Sequence, residues 1–252
     1  MSHELLAIYF LWKREMIRFL RSKSRIIGSL AMPFFFLAIL GTGLSGAMKL
    51  PGMNGNYLEF ITPGILGMVL LFGSMFLGIS VIIDRQFGFL KETLIAPVKR
   101  TTLVIGKTLG NSTAAVIQGI LMLLLSVFLG VTIQLQDILF TILLMFLISS
   151  AFVCLGIAIA SKLEDMHGFQ LIMNFLMMPM FFLSGALFPL TSAPQIIQTI
   201  AYFDPMLYAV EALRFSLLGY SSMPILISVS ILIAFFIATT FLAAYFFNRI
   251  ES

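Results

Sequence analysis

The sequence predicts an all-α integral membrane protein with six transmembrane helices, and three observations carry that expectation. The chain is 60% hydrophobic and 10% charged over 252 residues, whereas soluble domains are about a quarter charged. Six stretches contain no Asp, Glu, Lys or Arg: 26–48, 60–83, 108–136, 138–161, 168–203 and 215–248. Each exceeds the ~20 residues a helix needs to cross ~30 Å of hydrocarbon. Apolar residues run all round these segments instead of alternating in ~10-residue pieces, which favours helices over a barrel.

Orientation follows from the basic residues. With six crossings, Lys13, Arg14, Arg18, Arg21, Lys23, Arg25, Arg85, Lys91, Lys99, Arg100, Lys107, Lys162 and Arg249 share one side, and Lys49 and Arg214 lie on the other. That places 13 of the 15 basic residues, and both termini, in the cytoplasm. The net charge of +4 then reflects topology and headgroup contacts, not nucleic-acid binding.

Residues 3–25 read as an amphipathic helix in the cytoplasmic interface. Leu5, Ile8, Tyr9, Trp12, Met16 and Phe19 fall at helical spacing on one face, while Lys13, Arg14, Arg18, Arg21 and Arg25 cover the rest. Trp12, the only tryptophan, suits headgroup depth. A signal peptide does not fit a basic region of that length. The first crossing is 26–48, followed by a short outer loop, KLPGMNGNY, and a second crossing at 58–83 with Gly64, Gly67, Gly73, Ser74 and Gly78 along it. Asp84 and Arg85 mark its exit to water.

The loop 84–100 is the most charged internal segment. Phe87, Phe89, Leu90, Leu94 and Ile95 form an apolar side, Arg85, Lys91 and Glu92 a polar one, and Pro97 stops the short helix. The third crossing, 103–130, carries Gly106, Gly110 and Ala114 four residues apart, a small-residue ladder that marks a tight helix contact. Gly106-Lys107-Thr108 resembles the end of a phosphate loop, but Thr101 stands where that motif needs its first glycine. Gln134, Gln136 and Asp137 form a tiny outer turn, and the fourth crossing is 138–161. Its Cys154 is the single cysteine, so it can form no intrachain disulfide and reads as packing. His167 reads as a solvated residue of the inner turn, KLEDMH.

The uncharged run 168–203 spans 36 residues, which as helix would be ~54 Å long. Pro179, Pro189 and Pro194 break it into a fifth crossing, 168–187, and an external segment, 188–219. Asp204-Pro205 reads as a helix N-cap with Pro at the first helical position. That short helix pairs Glu211 with Arg214 three residues on and dips in from outside. The last crossing is 224–247. No ionisable residue is expected near a bilayer midplane, which argues against a proton-coupled pump. No His/Glu zinc pattern or cofactor loop occurs, so the sequence implies neither a metal site nor a membrane enzyme; a stand-alone channel would need polar intramembrane groups.

DRQFGFLKETLIAPVKRTTLVIGKTLG resembles the E-x-G-x-L-(K/E)-x-L-x-x-(A/S)-P-(V/L)-x-R…GK segment of ABC-2 type exporter permeases. FFLSGALFPLTSAPQIIQTIAYFDPMLYAVEALR resembles the outer segment of the same family, and the wording is nearest the daunorubicin-resistance-like multidrug branch. Gln86 and Phe89 depart from the Glu and Thr that many relatives carry. The resemblance covers residues 1–252 as one transmembrane domain in a prokaryotic cytoplasmic membrane.

What it implies is half of a transporter. Two permeases pair, as a homodimer or with a related chain, and each docks a separate ATPase subunit that holds the ATP and Mg; this chain carries no cofactor. Phe87, Gly88, Phe89, Leu90, Lys91 and Glu92, with Pro97 and Arg100, would form the coupling element, braced by the interfacial helix with Trp12, Arg14 and Arg18. Gly185, Phe188, Pro189, Asp204, Pro205, Tyr208, Glu211 and Arg214 would close the external gate. The implied substrate is a hydrophobic drug or lipid-like molecule, with a lipid-linked polysaccharide as the alternative.

Overall fold

The computed structural model describes residues 3–45, 56–89, 98–132 and 137–249, and among them the only regular elements are helices. Helix α1 (His3–Arg21) leads through Ser22 into α2 (Lys23–Phe36), a π turn (Leu37–Gly41) and α3 (Thr42–Ser45). Pro33 lies inside α2. Its missing N–H and its ring disturb the hydrogen-bond ladder, and the wider turn just beyond absorbs the mismatch. Next come α4 (Tyr57–Leu77), α5 (Ser80–Gln86), α6 (Arg100–Phe128), α7 (Ile138–Ala160) and α8 (Met166–Leu183). A 3-10 turn (Leu190–Ser192), α9 (Gln195–Ala201), α10 (Pro205–Leu218) and α11 (Ile225–Asn248) complete the described chain.

Among the described residues, six helical segments are long and apolar enough to cross a membrane: Ile26–Ser45, Tyr57–Gln86, Arg100–Phe128, Ile138–Ala160, Met166–Leu183 and Ile225–Asn248. The all-helical, multi-pass class expected from the uncharged runs is therefore the observed one. Most of the 49–57 loop, together with Gln134 and Gln136, lies outside the described residues.

Helix α4 is central, packed against α2, α6, α7, α8 and α10. It can sit there because it is apolar on all sides, and Ile61, Ile65, Leu70, Leu71 and Met75 have no solvent contact. Small residues set its distances to neighbours. Gly64 lies against the backbone of Ala186, and Gly78 crosses Gly156 so closely that a Cβ on either would collide with the other strand of backbone. The peripheral helices turn large apolar side chains outward, among them Met32 and Phe35 on α2, Phe175 and Phe182 on α8, and Phe241 on α11. A lipid solvent makes those exposures cheap.

The small-residue ladder on α6 has its partner in α1. A Cβ on Gly106 would meet Leu11, and one on Gly110 would meet Glu15. Helix α1 thus presents Leu11, Glu15 and Phe19 to the protein and leaves Leu5, Tyr9, Phe10, Ile17 and Leu20 exposed. Ile8, Trp12 and Phe19 of the face expected from apolar spacing lie against the protein, but Leu5 and Tyr9 of that face do not, and Leu11 and Glu15 take their place. Apolar residues lie on both sides of α1, so periodicity alone could not choose; the crevice at Gly106 and Gly110 does.

Candidate functional site

Helix α4 separates two polar sites, one built where α5 ends and one where α4 begins. The first centres on Asp84, near the C-terminus of α5, which is only 1% exposed. Its Oδ2 pairs with Lys107 Nζ, and its Oδ1 accepts from Arg14 and, at 3.1 Å, from Arg18. Lys107 is 2% exposed and Glu15 3%. Glu15 adds contacts of 3.4 Å to Arg14, 3.3 Å to Arg18 and 3.9 Å to Lys107. Three cations and two carboxylates from α1, α5 and α6 thus form one network. Each buried charge has an opposite charge beside it, the condition under which such burial is tolerated.

The next two residues reach elsewhere. Arg85 donates to the carbonyls of Ser161 and Leu163 at 3.4 Å each, and Gln86 donates to the Glu164 carbonyl at 3.1 Å. Residues 84–86 therefore grip α1, α6 and the α7–α8 turn. Beyond that base, Phe87 is 79% exposed and Gly88 turns the chain with φ +77°. The Arg14 guanidinium stacks 3.8 Å from the Phe89 ring. Leu90, Lys91, Glu92 and Pro97 lie outside the described residues. At the far side of the loop, Arg100 donates to the Asn248 carbonyl at 2.7 Å, and Glu4 accepts from Lys99 N and from the Thr102 hydroxyl.

Two expectations change here. Asp84 does not mark an exit to water; it is buried, because Lys107 and two arginines converge on it. Arg14 and Arg18 point to that carboxylate instead of leaving their charge on a headgroup-facing side. Trp12 directs its indole N–H to the Thr113 hydroxyl on α6 at 3.2 Å. The Gly-Lys-Thr stretch is a helix-packing element, with Gly106 on α1 and Lys107 on Asp84.

The second site surrounds α10. Asp204 caps it, its Oδ1 accepting from Met206 N at 2.9 Å, and Pro205 follows at the first helical position. Burial pushes the Asp204 carboxyl up to about 7, against the downward pull of the Met206 N–H. Its Oδ2 is buried without a hydrogen-bond partner. One helical turn pairs Glu211 with Arg214, which is 2% exposed. Arg214 also donates to the Gly185 carbonyl at 2.9 Å and stacks 4.5 Å from the Phe60 ring. Glu211 accepts from Ser222 N at 2.5 Å.

Gly185 takes φ +68°, a left-handed turn that ends the run out of α8 and favours glycine. Tyr57 then ties α4 to this turn by donating to the Leu187 carbonyl at 2.8 Å, and Tyr208 donates to the Tyr202 carbonyl at 2.8 Å. Phe188, Pro189, Gly185, Glu211 and Arg214 line a cavity of about 640 Å³ together with Tyr202 and Tyr220. All eight residues expected at this end are thus gathered around one helix, although Asp204, Pro205 and Tyr208 do not line the cavity.

Between the two sites runs a groove of about 490 Å³ on α2, α4, α6 and α8. Met32, Met68, Phe72, Phe76 and Met178 make it soft and apolar, while Gln118 and Gln170 supply amides. Gln118 is buried and its Oε1 has no partner. Sequence reasoning missed both this amide and the Asp84 network. The available signal for the network was Glu15 within a basic run, together with Asp84 and Lys107, each abutting an uncharged run. Among the described residues no group of His, Cys, Asp and Glu could hold a metal ion.

Comparison with known proteins agrees on one architecture. The family model described as ABC-2 type transporter matches residues 7–218. The putative transport permease ycf38 of Cyanophora paradoxa is 29% identical over 211 residues, covering 82% of this chain and 73% of its own length. The inner membrane transport permease YadH of Escherichia coli K12 is 25% identical over 236 residues, 92% of this chain and 91% of its own. Nodulation protein J of Rhizobium leguminosarum bv. trifolii is 25% identical over 239 residues, 92% and 90%.

Proposed function

Because the chain belongs to the ABC-2 type transporter family, we propose that it is the membrane-spanning subunit of an ATP-driven exporter, moved by a separate ATPase subunit docked on the loop 84–100. The observation that carries this reading is Phe87, a large apolar ring 79% exposed at the rim of a base gripped by buried charges. An exposed aromatic on a rigid mount is the kind of anchor that fills a pocket on a partner. Two permease copies pair, each with one ATPase subunit that holds ATP and Mg, and both termini lie in the cytoplasm of a prokaryotic cell. ATP binding draws the ATPase subunits together, the loops follow, and the path between the permeases switches sides as rigid bodies move.

The groove of methionine and phenylalanine supports a hydrophobic drug or lipid-like substrate, since flexible thioethers adapt to varied apolar shapes. The cavity at α10 favours a second reading, a lipid-linked polysaccharide: it offers tyrosine rings and the neutral polar groups of Gln198 and Ser192. Co-expression with a candidate ATPase subunit tests the core of the proposal. ATP turnover is expected from the complex and not from the purified chain, and deletion of residues 87–90 is expected to abolish assembly or uncouple turnover from transport. A chain that transports alone in liposomes, or a deletion complex that transports normally, overturns it.

A further inference from the structure

We propose that Asp84 is a positioning residue that clamps α1, α5 and α6 into one lever, so that force on the loop reaches the helix bundle as a single rigid displacement. The inference rests on the reading of 84–100 as the ATPase-facing loop, and goes beyond it by naming what makes the loop an effective handle.

A loop can move its helices only if it does not fold back on itself first. Three consecutive side chains at its base prevent that here. Asp84 holds Lys107 on α6 and Arg14 and Arg18 on α1. Arg85 and Gln86 hold the backbone of the α7–α8 turn. The Asp84 contacts bridge parts of the chain 23, 66 and 70 residues apart, so no single helix satisfies them. With Asp84, Lys107 and Glu15 out of water, any sliding of α1 along α6 would strand a buried charge, a penalty steep with distance in a low-dielectric interior.

The glycines give the same answer by a separate route. Leu11 and Glu15 sit in the notches of Gly106 and Gly110, so translation of α1 by one turn would drive side chains into backbone. Charge and shape both resist relative motion of α1 and α6. Arg14 also covers Phe89 at 3.8 Å, which carries the clamp past the end of α5 into the loop. Among the residues described, Asp84 is the one side chain bonded to both α1 and α6 at the point where the loop departs.

The test uses the complex with its ATPase subunit in lipid nanodiscs, in a Cys154→Ala background. Two readouts are taken: ATP turnover, and the ATP-dependent change in thiol labelling of Tyr220→Cys at the α10 end. In Arg14→Gln/Arg18→Gln and in Asp84→Asn, the assembled complex is expected to hydrolyse ATP while the labelling change shrinks about fivefold or more, and Asp84→Glu restores most of it.

A full labelling change in the Arg14→Gln/Arg18→Gln complex overturns the lever. Should Asp84→Asn fail to assemble, the half-exposed arginines decide, because their loss leaves the buried Asp84–Lys107 pair intact. Failure of the unmodified chain to assemble with the ATPase, or to show any ATP-dependent labelling, strikes the proposed function instead.

Discussion

The two buried ionic sites among the described residues solve the same problem in opposite ways. At α10, Glu211 and Arg214 are three residues apart on one helix, and the pair closes within a single turn. At α5, Asp84 gathers partners from two other helices. A local pair travels with its helix whatever the surroundings do, so it can hook and release: Arg214 reaches one foreign backbone group, the Gly185 carbonyl. A distributed network cannot be carried by any one element and therefore fixes elements relative to each other. The first arrangement suits a part that opens, the second a part that transmits.

The sharpest way to break the contrast is a double-mutant cycle at each site. Removing one partner of a buried pair costs about 3–5 kcal/mol, because the other charge is left uncompensated. Arg214→Met and Asp84→Asn are each expected to lower stability by that order, read as thermal unfolding in detergent. The doubles should diverge. Glu211→Gln/Arg214→Met is expected to recover most of the loss, since only backbone groups remain to be satisfied. Asp84→Asn/Lys107→Met is expected to recover less, because Glu15, Arg14 and Arg18 stay behind with an altered balance. Equal recovery at the two sites would erase the distinction between local and distributed.

The same contrast governs what could be read from the chain. The local site was legible: Asp204-Pro205 and the Glu211–Arg214 spacing are short-range signals, and a helical turn is enough to convert them into contacts. The membrane-crossing helices were legible for a similar reason, because an uncharged run acts through its own length. The Asp84 network was not. Along the sequence, Asp84, Arg85 and Lys107 look like the charges that normally flank a crossing. Only the packing of α1 into the Gly106–Gly110 notches brings Glu15, Arg14 and Arg18 to them. The inward face of α1 was hidden likewise, since the adjacent Phe10 and Leu11 are both apolar and only the partner surface decides that Leu11 is the one buried.

A second prediction sharpens the comparison through pH. Between the ordinary carboxyl value of 3.8 and the value of about 7 reached in the fold, native Asp204 holds a proton that the unfolded chain has released. Its contribution is therefore full below about pH 4, declines as pH rises, and is gone above about pH 7. The span is on the order of 2–4 kcal/mol. Asp204→Asn keeps a capping oxygen for Met206 N and removes the titration. Thermal unfolding measured from pH 4 to 8 should flatten in the variant, with a gain over the parent at pH 8. A parent curve already flat over that range would mean that water reaches Oδ2.

The smallest effect on stability belongs to the loop rim and is the most telling about its use. Phe87 makes little contact with the rest of the chain, so Phe87→Ser should change unfolding by no more than about 0.5 kcal/mol. If the ring is an anchor for an ATPase subunit, the same substitution should weaken assembly about tenfold or more, measured by titrating the ATPase onto nanodisc-embedded permease. The two numbers must separate for the reading to hold. A residue buried in its own chain would lose stability and affinity together. A ring that merely rests in lipid headgroups would lose neither, and assembly unchanged by Phe87→Ser would move the docking surface away from the rim of α5.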